Sequence, residues 1–259
     1  MILAIDVGNT NIVIGLLDPD TGHPARSWRL SSNRERTSDE WRGLLDPLLS
    51  EALAESPVDG SIIDSVVPAI TTPMVELCRK WIGREPVVVS SELDLGFSLA
   101  MERPSEVGAD RLANAAAALH LIDGPSVVID LGTATKIEAI DRDRVFRGGI
   151  IAPGIGLSRD ALATRAARLF AVEFSAPEHA IGLNTIEAVQ SGIVRGHARM
   201  VEGLVGDVWT ELGEQTPLLL TGGFASTIEP ILRLPVRCEP DLTLIGLGCL
   251  YGRNRSTKR

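Results

Sequence analysis

Two carboxylates share one local pattern. Asp6 stands in Ala4-Ile5-Asp6-Val7-Gly8-Asn9-Thr10-Asn11 and Asp130 in Val128-Ile129-Asp130-Leu131-Gly132-Thr133-Ala134-Thr135, nearly half of the 259-residue chain apart. Each copy is an apolar run, an Asp, one residue, a Gly, then small polar residues leading into a second apolar run. A carboxylate at a strand end can hold a divalent cation through an oxygen or through its waters. Glycine beyond it lets the backbone turn and leaves space for a phosphate against the N–H groups. A single Asp of this kind would more simply close an Asx turn onto Gly8 or Asn9, but the second copy favours chemistry. Two such turns facing each other would form a cleft for a metal nucleotide. Asp6 would hold Mg²⁺ while Gly8, Asn9, Thr10 and Asn11 present donors to the β- and γ-phosphates. No GxxxxGK[ST] loop is present, so the phosphate cradle is of another kind.

A third carboxylate, Asp110, follows Gly108-Ala109 and precedes Arg111 at the start of an Ala-rich helical stretch. An Asp in a first helical turn is commonly there for the helix dipole. Beside an Arg able to grip a substrate carboxylate, it can also accept the proton of an attacking hydroxyl. Together the three acids point to phosphoryl transfer to an alcohol.

The elements that must hold them follow from periodicity. Ile2–Val7 and Ile12–Leu17 read as a hairpin around Gly8–Asn11, with Pro24–Ser32 as a third strand. Thr37 and Glu40 form a capping box. The helix after it carries Trp41, Leu44, Leu45, Leu48 and Leu49 on one face, and Pro47 predicts a kink or an early end. Ser61–Val67 reads as a strand, Thr72–Ile82 as a helix and Pro86–Ser90 as a buried strand. A loop from Leu93 to Val107 then leads to the helix Leu112–Leu121.

The pattern restarts with strands over Ser126–Leu131, Thr135–Ile140 and Arg144–Ile151. A helix follows over residues 157–169, and Asn184 with Glu187 caps a long helix to about Leu212. Pro217–Leu220 reads as a strand turning at Gly222-Gly223 into another helix, and Leu242–Tyr251 as a terminal helix. Both halves follow the order βββαβα. The expected fold is therefore α/β, two duplicated ribonuclease H-like or actin-like domains with a cleft between them, spanning 1–118 and 119–259. Such a duplication resembles the superfamily of actin, hexokinase and acetate kinase, where ATP lies between two such domains.

Composition narrows the partners. A formal charge of −9 argues against a nucleic-acid surface, and no apolar run is long enough to span a membrane. Cys78, Cys238 and Cys249 have no zinc-like spacing and read as buried thiols. Ile2 opens the first strand with no basic leader, so a cytoplasmic protein is expected.

Seven motifs occur in a recognisable order. They are Asp6–Thr10, Ser65-Val66-Val67-Pro68, Gly108–Arg111, Asp130–Ala134, Gly148–Gly154, Ile181–Thr185 and Thr221-Gly222-Gly223. In this the chain resembles the type III pantothenate kinases from its first strand to its last helix. The resemblance implies ATP-dependent phosphorylation of pantothenate, the first step of coenzyme A synthesis, by a cytoplasmic homodimer joined through its C-terminal half. It implies that Asp6, Val7, Gly8, Asn9, Thr10 and Asn11 take the Mg-ATP phosphates, with Gly132 and Thr133 also at the nucleotide and Gly222-Gly223 against the adenosine. Asp110 becomes the catalytic base, and Gly108, Ala109, Asp110 and Arg111 line the pantothenate pocket. Asp130 matches a ligand of an activating K⁺ or NH₄⁺. Thr185 matches a residue reaching substrate across the dimer.

The chain departs from the family around substrate and cation. Lys136 and Glu138 replace the usual Thr and Asp, and the only Tyr is Tyr251, so a substrate-side aromatic is missing. Lys136 shares a strand face with Asp130 if the register holds. Its ammonium then either stands in for the monovalent cation, making K⁺ dispensable, or is a solvated lysine on an edge strand. His23, His120, His179 and His197 have no triad spacing, and Trp28, Trp41, Trp81 and Trp209 read as core or interface. The departures leave a second reading open, a paralogue that binds nucleotide or a pantothenate-like ligand as an accessory protein without turnover. A sugar or acetate kinase fits the motif set less well.

Overall fold

Strand β1 (Ile2–Val7) pairs antiparallel with β2 (Asn11–Leu17), and β2 with β3 (Pro24–Ser31), in a computed structural model that describes residues 1–165 and 172–255. The chain then runs through α1 (Ser38–Glu55), β4 (Gly60–Ser65), α2 (Pro68–Ile82), the short β5 (Val87–Val88) and β6 (Ser98–Leu99), and α3 (Ala109–Leu121). Strands β4 and β5 extend the first sheet in parallel, giving the order β3-β2-β1-β4-β5. One face is covered by α1 and α2, where Leu3, Ile5, Val7, Ile14 and Ile63 meet Trp41, Leu45 and Met74. The Thr37–Glu40 capping box is present.

Proline at 47 does not break α1. Pro47 and Gly43, whose carbonyl the missing N–H leaves without a helical partner, both lie on the exposed side of the helix. Water can serve that carbonyl, and Gly43 has open space around it. Helix α2 starts at Pro68, earlier than the expected Thr72, because proline suits a first helical position.

The chain divides into two units, Met1–Leu121 together with the stretch from Asp241, and Ile122–Pro240. This departs from the expected division at 118/119, which left the whole C-terminal half together. The last helix, α8 (Leu242–Asn254), belongs to the first unit and packs on α3. A Cβ at Gly246 would strike the carbonyl of Ala113, and Thr243 Oγ1 donates to Asn114 Oδ1 at 2.9 Å. The small residues of both helices permit this close backbone approach.

The second unit repeats the topology. Strands β7 (Ser126–Leu131), β8 (Ala134–Ile140) and β9 (Val145–Pro153) form the antiparallel meander, and β10 (Leu218–Thr221) and β11 (Val236–Cys238) add in parallel beside β7. Expectation had omitted β11. Arg144, expected in β9, has φ 58° and belongs to the turn before it. Helix α4 (Ile155–Arg165) starts at Ile155; the rest of the helix expected there, up to residue 169, lies outside the described residues. The helix expected from Asn184 to Leu212 has three parts: α5 (Thr185–Gln190), a π-helical turn (Ser191–Arg195) and α6 (Gly196–Leu212). A short α7 (Ala225–Ile228) follows β10. Among the described residues no helix is long and apolar enough to cross a membrane.

The π-helical turn contributes Val194 and helix α6 contributes Ala198, Val201 and Val205 to a core with Val127, Ile129 and Ile137. Helix α6 also makes a buried polar contact: Thr135 Oγ1 lies 2.8 Å from His197 Nε2. Burial holds the His197 imidazole below its ordinary pKa, since charging it would forfeit hydration. The unfolded chain therefore takes up a proton at higher pH than the native one. The neutral ring's contribution to stability is complete above the ordinary value and lost as pH falls through the lowered native one. Melting temperature should accordingly drop when pH is lowered from about 8 to about 5.5, and His197→Gln should make that drop shallower. An unchanged slope in the variant would show that other groups control the acid limb.

Candidate active site

In the first unit the acids gather at one end of the sheet. Asp6 is the penultimate residue of β1, and alternation places it on the face opposite Leu3, Ile5 and Val7. Its turn is tightly held. Gly8 N donates to Asn11 O at 3.0 Å, Ser32 Oγ to Gly8 O at 2.6 Å, and Arg34 Nη2 to Asn9 Oδ1 at 3.3 Å. Asn9 and Thr10 are exposed, whereas the Val7 side chain is buried in the core and only its backbone reaches the tip.

The carbonyl of Val7 accepts Val66 N–H at 3.1 Å, and Val66 Cγ1 lies against Gly108. These contacts bring the ends of β1 and β4 to the start of α3. There Asp110 curls back onto its own helix, its Oδ1 accepting Arg111 N–H at 2.8 Å. A Cβ at Gly108 would lie 2.7 Å from that oxygen, so a side chain there would push the Asp110 carboxylate out of this position. Arg111 is only 8% exposed and Ala109 is buried. Motif reading overlooked Asp64, which is fully buried and sits beside Asp6 in the parallel β1–β4 register. Its signal was an acid inside the apolar run Ser61-Ile62-Ile63-Asp64.

The second unit surrounds Asp130 differently. Lys136 is its cross-strand partner, with Nζ 2.7 Å from Asp130 Oδ2 and both side chains 13% exposed. Strand β8 lies between β7 and β9, so Lys136 is not the solvated lysine of an edge strand. Glu138, two residues on, is fully buried.

Three backbone segments converge on this tip. Gly132 N donates to Ala134 O at 3.2 Å, closing the hairpin turn. A Cβ at Gly154, just before α4, would collide with the carbonyls of Thr133 and Gly132. Gly222 has φ +96°, and a Cβ there would come within 2.6 Å of Asp130 Oδ1. Gly154 is a second contributor that site reasoning passed over, although its motif was singled out.

Thr185 opens α5 and is exposed. Asn184 Oδ1 caps that helix by accepting Glu187 N–H at 3.0 Å, while Glu187 accepts from Leu183 N and Asn184 Nδ2. Thr185, Leu162, Leu183, Val189 and Ile193 border a cavity of about 530 Å³. The remaining histidines lie apart from the strand tips in sequence; His23 and His120 face each other with ring centroids 6.1 Å apart.

Known proteins resemble this chain over most of its length. Residues 2–207 match the family model described as type III pantothenate kinase. The type III pantothenate kinase of Thermomicrobium roseum is 44% identical over 255 residues, covering 98% of this chain and 97% of that one. That of Paramagnetospirillum magneticum is 44% identical over 261 residues, covering 100% of both. The fold is shared with the activator of 2-hydroxyisocaproyl-CoA dehydratase from Clostridium difficile, at a TM-score of 0.54 and 15% identity over 98% of this chain and 94% of that one. Sequence kinship over nearly the whole length, with the acids standing at equivalent strand tips, shows that the chain belongs to the type III pantothenate kinases.

Proposed function

We propose that this protein transfers the γ-phosphoryl group of ATP to the primary hydroxyl of pantothenate, giving 4′-phosphopantothenate and ADP, the first step of coenzyme A synthesis, as a cytoplasmic homodimer. The observation that carries the reading is Asp110, displayed from the first turn of α3 beside the β1 and β4 tips, in a chain with full-length kinship to pantothenate kinases. Asp110 accepts the hydroxyl proton as the new O–P bond forms and the bond from Pγ to the ADP oxygen breaks. Gly108, Ala109 and Arg111 line the pantothenate pocket. Gly8, Asn9, Thr10 and Asn11, with the backbone of Val7, receive the phosphates, and Gly132, Thr133, Gly222 and Gly223 receive the nucleotide.

The donor set suits a divalent cation carried with ATP. Among the described residues no group of three His, Cys, Asp or Glu side chains forms a protein cage. Mg²⁺ is commonly bound by one or two carboxylates together with substrate phosphates and water. Asp6 would hold it in that way. Such an ion neutralises charge on the phosphates.

Asp110→Asn should lower kcat by roughly 10²–10⁴-fold while leaving ATP binding nearly intact. A steady-state assay giving a near-normal rate would remove Asp110 as the base.

Asp130 is the residue that family resemblance assigns to K⁺ or NH₄⁺, and here its carboxylate holds the Lys136 ammonium. We infer that this ammonium replaces the monovalent cation. Rates measured in K⁺ and in Na⁺ should be equal for the wild type, and Lys136→Ala should become K⁺-dependent. Strong K⁺ stimulation of the unmodified enzyme would refute this.

Support for the dimer comes from apolar side chains left open around α5. Ile181 is 80% and Leu183 88% exposed, with Ile186, Leu157 and Leu162 also accessible. A second copy covering them would let its Thr185 approach pantothenate. Leu183→Glu should convert a dimer to a monomer in sedimentation analysis and reduce turnover. A wild type that sediments as a monomer would end this part of the proposal.

A further inference from the structure

The Gly222 turn rests on the Asp130 strand tip, and the structure shows what holds it there. Phe224 N donates to Leu131 O at 3.0 Å, tying the turn to the end of β7. The Phe224 ring meets Phe174 edge-on, with centroids 4.8 Å apart and planes at 69°. The guanidinium carbon of Arg159 lies 4.2 Å from the Phe174 centroid. Arg159 belongs to α4, the helix whose leading Gly154 leans on the carbonyls of Gly132 and Thr133. Phe224 also lies against Gly156 of the same helix.

The partners are fixed in turn. Gln190 Nε2 donates to the Ser175 hydroxyl Oγ at 2.8 Å and to the Glu173 carbonyl at 3.3 Å, holding the residues on either side of Phe174. Arg159 pairs with the neighbouring Asp160 at 2.8 Å, which holds its charge beside the ring. One cation–aromatic–aromatic stack thus joins α4, the segment around Phe174 and the Gly222 turn. Gly154 rests on the Gly132-Thr133 turn and Gly222 on Asp130 and Leu131, so the stack ties together the two segments that flank this strand tip.

We propose that Arg159, Phe174 and Phe224 are positioning residues that set the width of the nucleotide cradle in this unit. The proposal rests on the reading that Gly132-Thr133 and Gly222-Gly223 receive the nucleotide. None of the three needs to touch the reacting atoms. Loosening the stack lets the Gly222 turn drift from the strand tip, weakening ATP binding and leaving the Asp110 side undisturbed.

The test compares Phe174→Ala, Phe174→Tyr, Arg159→Met and Gly222→Ala in the full chain, with KM for ATP, KM for pantothenate, kcat and melting temperature measured for each. An aromatic pair of ordinary strength predicts that Phe174→Ala raises KM for ATP by about 3- to 10-fold. Arg159→Met should act in the same direction, and neither should move KM for pantothenate. Phe174→Tyr, which keeps the ring, should stay near wild type. If Gly222→Ala raises KM for ATP and Phe174→Ala does not, the clamp is overturned and the nucleotide reading stands. If Gly222→Ala folds and also leaves KM for ATP unchanged, the nucleotide reading itself fails. Equal shifts in both KM values, tracking lost melting temperature, would reduce the stack to a structural role and overturn the proposal. Should Phe174→Ala fail to fold, Phe174→Leu and calorimetric binding of ADP supply the same comparison.

Discussion

A carboxylate at the tip of a buried central strand is the constraint on which the rest of the molecule depends. Strands β1 and β7 are apolar nearly throughout and occupy the middle of their sheets. Ending such a strand with an acid requires donors or a counter-charge close by, because an uncompensated buried charge is strongly destabilising. Tight hairpin turns close the tip in both units, Gly8 N donating to Asn11 O and Gly132 N to Ala134 O. The same requirement makes the tips suitable for phosphates and cations.

The two units meet the constraint by different means. In the first, Asp6 lies beside the buried Asp64, with the nearly buried Arg111 and the helix N-terminus at Asp110 at the same end of the sheet. Three carboxylates and one guanidinium are thus gathered at that end of the sheet. In the second, Asp130 is engaged by Lys136 across the hairpin. Removing one member of so enclosed a pair would leave the other charged and poorly solvated. That end of the unit is therefore built to keep a positive charge in place, with Gly222 packed against Asp130 and Gly154 against the Gly132-Thr133 turn.

Much of the fold was legible because it is encoded locally. The hairpins follow from apolar runs broken by a Gly-led turn, and the Thr37 and Asn184 caps from a side chain three residues before its partner. Errors arose where exposure or distant packing overrode the local rule. Pro47 remains inside α1 because its side of the helix faces water, and β5 is shorter than its apolar run because pairing with β4 ends at Val88. Of the candidate site, the acids at 6, 110 and 130 could be found by motif. Asp64 left only a faint signal, because a single acid in an apolar strand gains its meaning beside its neighbour in the sheet.

Sequence alone determined the duplication, the strand–turn–strand geometry of each acidic tip and the helix start that displays Asp110. Each of these depends on residues within a few positions of one another, where turn chemistry and side-chain period act directly. Tertiary structure decided that α8 returns to the first unit, that Lys136 meets Asp130 rather than water, and that Gly222 closes on that acid while Gly154 closes on the turn after it. These outcomes depend on sheet register and on how closely backbones distant in sequence can approach. No local pattern of residue types specifies those distances.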